Sequence, residues 1–193
     1  MSNTTQSPLT EQSLREAAIA HLARYASTRA GLARVLLRRI DNWARRARRT
    51  GDREQITEQV AAAKLLIQPI VARLSAIGAV DDENFAALRS RSLTRAGRSG
   101  RAVAALLAAK GVPGEITKRT LPPDPAREFG ACLVAAKKHR LGPFSANPGA
   151  DARNRELATL ARAGFSERIA RDLFKLTRDE AEQRLQEWRD SQD

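Results

Sequence analysis

One pattern occurs three times along this 193-residue chain: a short helix, a turn marked by Gly, Ser or Thr, and a second short apolar helix. The first copy runs from Leu22 through Thr28 and Gly31 to Leu36. The second runs from Phe85 through Gly100 to Val103 and Leu107, and the third from Leu157 through Phe165-Ser166 to Ile169 and Leu173. In each, the second helix carries an apolar pair one turn apart, Leu32/Leu36, Val103/Leu107 and Ile169/Leu173. That spacing places both side chains on one helix face. The copies recur at roughly 65–70 residues, which predicts a tandem array of helical modules rather than one compact globule. Such an array offers a long surface to a long partner.

The apolar set is dominated by Ala and Leu, and no segment alternates with period two over the length of a strand, so the chain reads as all-α. Residues 1–8 read as disordered. Thr10 and Ser13 precede a first helix carrying Leu14, Ala17, Ala18, Leu22 and Tyr25 at helical spacing. Thr28 is the expected cap of a long second helix reaching 49, broken by Gly51-Asp52. A third helix is expected over 53–77, with Ile56, Val60, Lys64, Ile67, Val71 and Leu74 on one side and Pro69 kinking or interrupting it. Gly78 is the predicted stop, and Asp81 or Asp82 the next N-cap. Helices then follow over 82–94, 101–110 and 113–121, with Pro113 in a first turn. Pro122-Pro123-Asp124-Pro125 forms a stiff separator. Helix 125–140, a loop at 141–149, and helices 150–163, 166–174 and 178–189 complete the chain. The expected organisation is a module at 9–78, a second at 79–122 and a third at 123–193.

The net charge is +12, with 34 Lys and Arg against 22 Asp and Glu, which points to a polyanionic partner. The second helix concentrates this charge. At 100° per residue, Leu32, Leu36, Ile40, Trp43 and Ala47 share a sector of about 80°, and Arg34, Arg38, Arg45 and Arg49 a sector of about 60° opposite. Arg39, Arg46 and Arg48 flank the row, and Asp41 alone offsets it locally. A row of this kind is either a solvated face or a phosphate-tracking surface. Each phosphate neutralised contributes roughly −0.7 to the log–log salt slope on single strands and −0.9 on duplex. Arg95, Arg98, Arg101 and Lys110 border the Gly-rich turn of the second copy. Lys118 and Arg119 lie on the next short helix, and Lys137, Lys138, His139 and Arg140 end the one after.

Catalytic signatures are missing. Gly97 to Gly100 does not make a Gly-x-x-x-x-Gly-Lys-Ser/Thr loop and reads as a turn. His21 and His139 lie far apart without partners at ligand spacing, so no metal site is expected. Cys132 is the sole cysteine, which excludes an intrachain disulfide and a thiolate cage; it reads as a small core residue. Asp81-Asp82-Glu83 reads as a cap and first turn rather than a cation site. Trp43 and Trp188 fall at apolar helical spacing and read as packing rather than base-stacking groups. The first ten residues hold no apolar core of signal-peptide length, and no run of membrane-spanning length exists. A cytoplasmic protein without enzymatic activity, cofactor or membrane association is expected.

Three strings carry a resemblance: Leu74-Ser75-Ala76-Ile77-Gly78-Ala79-Val80-Asp81-Asp82-Glu83-Asn84-Phe85-Ala86, then Arg101-Ala102-Val103-Ala104-Ala105-Leu106-Leu107-Ala108-Ala109-Lys110-Gly111-Val112, and Leu160-Ala161-Arg162-Ala163-Gly164-Phe165-Ser166. They resemble successive signatures of the RecX regulatory proteins, over most of the chain from about Ser13 to Leu173. The resemblance implies three tandem three-helix modules in an elongated, curved array. It implies a monomer that lodges in the groove of the RecA–single-stranded DNA filament and lowers RecA's ATPase and strand-exchange activities in DNA repair and recombination. The Arg-rich extension at 41–53 and the loop at 141–149 are longer than the family pattern. Two other functions remain open on the residues: a direct DNA-binding helix-turn-helix protein, with 94–107 as its recognition unit, and an RNA-binding basic protein.

Overall fold

A computed structural model describes residues 9–49, 51–146 and 149–192, and every regular element among them is helical. The disorder expected at 1–8 lies outside these residues. Eleven α-helices follow in chain order: α1 Glu11–Leu22, α2 Arg29–Ala47, α3 Arg53–Leu65, α4 Ile67–Ala76, α5 Asp82–Arg95, α6 Gly100–Lys110, α7 Gly114–Thr120, α8 Pro125–His139, α9 Ala150–Arg162, α10 Glu167–Leu173 and α11 Arg178–Asp190. The chain divides into two compact units. The first holds residues 1–85 with 110–112, and the second holds 86–109 with 113–193.

The caps follow the sequence closely. Thr10 and Ser13 form a reciprocal capping box at the start of α1, and Thr177 and Glu180 form another at α11. Asp52 and Asp124 cap α3 and α8 through their carboxylates. The expected helix over 53–77 is two helices. Pro69 has no N–H to give the Leu65 carbonyl and its ring crowds that carbonyl, so the chain breaks at Leu66 and Pro69 falls in the first turn of α4. Helix α2 ends at Ala47 with Arg48 as its cap, so Arg49 lies in the turn beyond the helix.

In the first unit, Leu14 and Ala18 of α1 pack with Leu32, Leu36 and Ile40 of α2 and with Ile67, Ile70, Val71 and Leu74 of α4. Trp43 joins Ala44, Ala47 and Ile56 in a smaller cluster at the far end of α2, as packing rather than stacking. In the second unit, α8 runs through the core: Ala131, Cys132, Leu133, Ala135 and Ala136 are buried among Leu160, Phe165, Ala170, Leu173, Ala181 and Leu185. The segment read as a loop at 141–149 supplies two core residues, Leu141 and Phe144, the latter on a single 3₁₀ turn over Gly142–Phe144. Glu156 pins that turn by accepting from the Gly142 amide at 2.7 Å and the Ser145 hydroxyl at 2.7 Å. Trp188 lies so close to α8 that a Cβ at Gly130 would stand 2.1 Å from its indole nitrogen.

Two joints between helix ends share one design. In the first unit, the Thr28 hydroxyl accepts from the Gly31 amide at 2.8 Å, capping α2, and donates to the Lys110 carbonyl at 2.7 Å. The neighbouring Arg29 amide donates to the Asp82 carboxylate at 2.8 Å. In the second unit, the Ser99 hydroxyl accepts from the Ala102 amide at 3.2 Å, capping α6, and donates to the Ala163 carbonyl at 2.7 Å. Here the Gly100 amide donates to the Glu128 carboxylate at 2.8 Å. Orphan donors of one helix start and an orphan acceptor of another helix end satisfy each other. Each receiving carbonyl is followed by a left-handed glycine, Gly111 at φ +83° and Gly164 at φ +92°. A Cβ at Gly111 would meet Ala30 Cβ at 2.4 Å, and one at Gly164 would meet the Ser99 hydroxyl at 2.6 Å.

These contacts separate two kinds of glycine. Gly78 is also left-handed, at φ +72°, but a Cβ there meets nothing within 4 Å. Gly78→Ala should cost only the backbone term of about 1 kcal/mol. Gly111→Ala adds a steric clash and should cost about 3 kcal/mol in all. Urea unfolding of the two variants beside the parent protein measures the difference.

Candidate nucleic-acid and protein interface

The candidate interface residues Arg34, Arg38, Arg39, Arg45, Arg46, Arg49, Arg95, Arg98, Arg101, Lys110, Lys137 and Lys138 are all exposed. Six sit on α2 or just after it. Leu32, Leu36 and Ile40 are fully buried, so the opposite face of α2 is turned to solvent and carries Arg34, Arg38 and Arg45, with Arg39 and Arg46 beside them. Arg49 follows in the turn. The one local carboxylate, Asp41, pairs with the Lys64 ammonium of α3 at 3.9 Å.

The row is not chemically uniform. Arg34 donates to the Lys110 carbonyl at 2.8 Å, the acceptor that Thr28 also uses, so this guanidinium helps hold the joint together. Arg45 bonds to the Asn42 side chain one turn earlier. Arg38, Arg39, Arg46 and Arg49 are exposed and form no ion pair among the described residues. Lys110 belongs to the first unit, where its carbonyl receives both Thr28 and Arg34.

The other five residues lie in the second unit and serve different surroundings. Arg95 reaches the Gln192 carbonyl near the end of the chain. Lys137 forms an ion pair with Glu182 at 2.5 Å, an exposed contact of modest worth. Arg98 and Lys138 line one small cavity of about 240 Å³ together with His139. Arg101 lines a different and larger groove.

Asp81 and Asp82, alike in sequence, have separate roles. Asp81 caps α5, accepting from the Glu83 amide at 2.8 Å and the Asn84 amide at 3.0 Å. Asp82 is buried, and its second oxygen pairs with the Arg29 guanidinium at 3.0 Å. The sequence shows an acidic cluster and leaves open which member turns inward. Among the described residues no cluster of His, Cys, Asp and Glu could hold a metal ion, and no helix is long and apolar enough to cross a membrane.

Helical elements throughout and an exposed arginine face on α2 describe a basic all-helical protein. The chain is 39% identical over 166 residues to the regulatory protein RecX of Myxococcus xanthus, a match covering 83% of each chain. It is 33% identical over 107 residues to the regulatory protein RecX of Agrobacterium fabrum, covering 55% of this chain and 57% of that one. The chain belongs to the RecX family of regulatory proteins. No family model matches it, and no solved structure matches it significantly.

Cys132 supplies an independent check on the second core. Burial, reinforced by the charge of Glu128, pushes its thiol up to about 12. The thiolate is the reactive form, so at pH 8 the folded protein should leave Cys132 untouched by a disulfide reagent such as DTNB. Denaturant should release one full equivalent of thiol, and the absorbance of the released thionitrobenzoate reads both states.

Proposed function

We propose that this chain is a non-enzymatic regulator that binds a RecA-type recombinase on single-stranded DNA and lowers its ATPase and strand-exchange activities. Family membership supports the partner. The arginine face of α2, with its apolar stripe packed into the first unit and its cations left outside, is the observation that carries the mode of binding. In this reading Arg38, Arg39, Arg46 and Arg49 meet phosphates of the filament or carboxylates of the recombinase. The array of three modules at 9–78, 79–122 and 123–193 spreads contacts over neighbouring protomers and restrains the filament changes that accompany ATP turnover.

A direct sequence-reading role for α6 finds less support. Recognition helices present their N-terminal residues to base edges. Here the start of α6 is engaged within its own unit, through Ser99 on Ala163 and the Gly100 amide on Glu128.

Single-strand-dependent ATP hydrolysis by the host recombinase, titrated with this protein, tests the proposal. A concentration-dependent fall is expected, one that polylysine of equal charge does not reproduce. Arg38→Glu, Arg46→Glu and Arg49→Glu together should weaken inhibition at least tenfold while leaving the far-UV helical signal intact. Arg34 is kept out of that set because its loss would also disturb the Lys110 joint. An unchanged ATPase, or a triple variant as potent as the parent, overturns this account of α2.

A further inference from the structure

The second unit contains a groove that the arginine face of α2 does not involve. Its volume is about 1060 Å³, beyond the roughly 300–1,000 Å³ of a small-molecule site. The floor is apolar and half-exposed: Ala104 of α6, Leu121, Phe129 of α8, Ile169 of α10 and Leu176. The exposed run Pro122-Pro123-Asp124-Pro125 forms one wall, and proline fixes its backbone in advance of any ligand.

The rim is electrostatically one-sided. Arg101, Lys118, Arg127, Arg168, Lys175 and Arg184 line the groove, against three carboxylates. Those carboxylates are engaged locally. Glu128 accepts from the Gly100 amide at 2.8 Å, Asp124 from the Arg127 amide at 3.0 Å, and Asp172 from the Lys175 ammonium at 2.8 Å. Arg101 makes no ion pair among the described residues. The first turns of α6 and α8 also line the groove, which adds the positive ends of two helix dipoles to the same field.

A nucleic-acid strand fits this lining poorly. It needs a continuous cationic track and open aromatic faces for its bases. The Phe129 ring, the one aromatic face of the groove, already carries the Arg184 guanidinium at 6.0 Å from its centroid. A peptide meets the chemistry better. Aliphatic or aromatic side chains would cover Leu121, Phe129, Ile169 and Leu176, and flanking carboxylates would face Lys118 and Arg168. Lys118 pairs with Glu115 at 2.9 Å and Arg168 lies 4.0 Å from Asp172, but both side chains stay strongly exposed, at 76% and 91%, so a ligand carboxylate can compete for them at the surface.

We propose that this groove is a docking site for an acidic peptide segment of a partner protein, anchored by one or two large apolar side chains between Asp and Glu residues. It belongs to the second unit and is separate from the arginine face of α2, so either surface can fail without the other.

The test uses the full chain and a fluorescein-labelled peptide with Leu-Phe at its centre and Asp and Glu on both sides, read by fluorescence anisotropy. Saturable binding is expected, weakened at least tenfold by Lys118→Glu with Arg168→Glu. The same reversal on α2, at Arg38, Arg46 and Arg49, should leave peptide binding unchanged. An all-acidic peptide without the Leu-Phe anchor should bind at least tenfold more weakly. Equal binding of that peptide reduces the site to unspecific charge and overturns the proposal. So does the absence of saturable binding. Displacement by a single-stranded oligonucleotide whose own binding the Lys118→Glu/Arg168→Glu variant abolishes would instead make the groove a nucleic-acid site.

Discussion

The Thr28–Lys110 hydrogen bond is the contact through which the first unit acquires a segment distant in sequence. An α-helix leaves amides unpaired at its start and carbonyls unpaired at its end, and burying either alone costs about 1–3 kcal/mol. Here one hydroxyl settles both, accepting from α2 and donating to the last carbonyl of α6. Arg34 adds a charged donor to the same carbonyl, and Asp82 takes the next free amide of α2. Gly111 then lets the chain leave in a left-handed turn where any side chain would strike Ala30. Ser99, Ala163, Glu128 and Gly164 repeat the arrangement in the second unit. Two of the three recurring turns of the sequence are therefore joints between helix ends, while the third shows the Ser166 cap on the Ile169 amide.

This construction bears on function because it leaves long helix faces uncommitted. Joining helices at their ends requires little of their sides, so α2 needs only one apolar stripe and can give the rest of its circumference to arginine. The second unit differs in emphasis. Its core is centred on α8, whose buried face is mostly Ala and Cys under larger Leu and Phe side chains, and the space between α6, α8 and α10 remains an apolar groove under a cationic rim. The two surfaces have different chemistries, one almost purely charged and the other amphipathic.

Much of the local structure was legible in the chain. Thr10, Thr28, Asp52, Asp124, Ser166 and Thr177 are caps because a short oxygen-bearing side chain before an apolar-periodic run reaches the free amides of its own first turn. Leu32, Leu36, Val103, Leu107 and Leu173 are fully buried, as their one-turn spacing predicts, whereas Ile169 at the same spacing stays half-exposed. Phe144 was missed for the opposite reason. It stands among Gly, Pro, Ser and Asn, where no periodicity betrays a core position, and it is buried because Glu156 folds the turn inward.

The sequence by itself determined the helical class, the position of nearly every helix end and the arginine face of α2, since each depends on neighbours within a turn or two. Only the tertiary structure decided which of two adjacent aspartates turns inward, that Arg34 is a strut while Arg38 stays exposed, and that residues 110–112 belong with the first unit. Those outcomes turn on groups dozens of residues apart competing for the same carbonyl or amide. No local pattern encodes which of them will arrive.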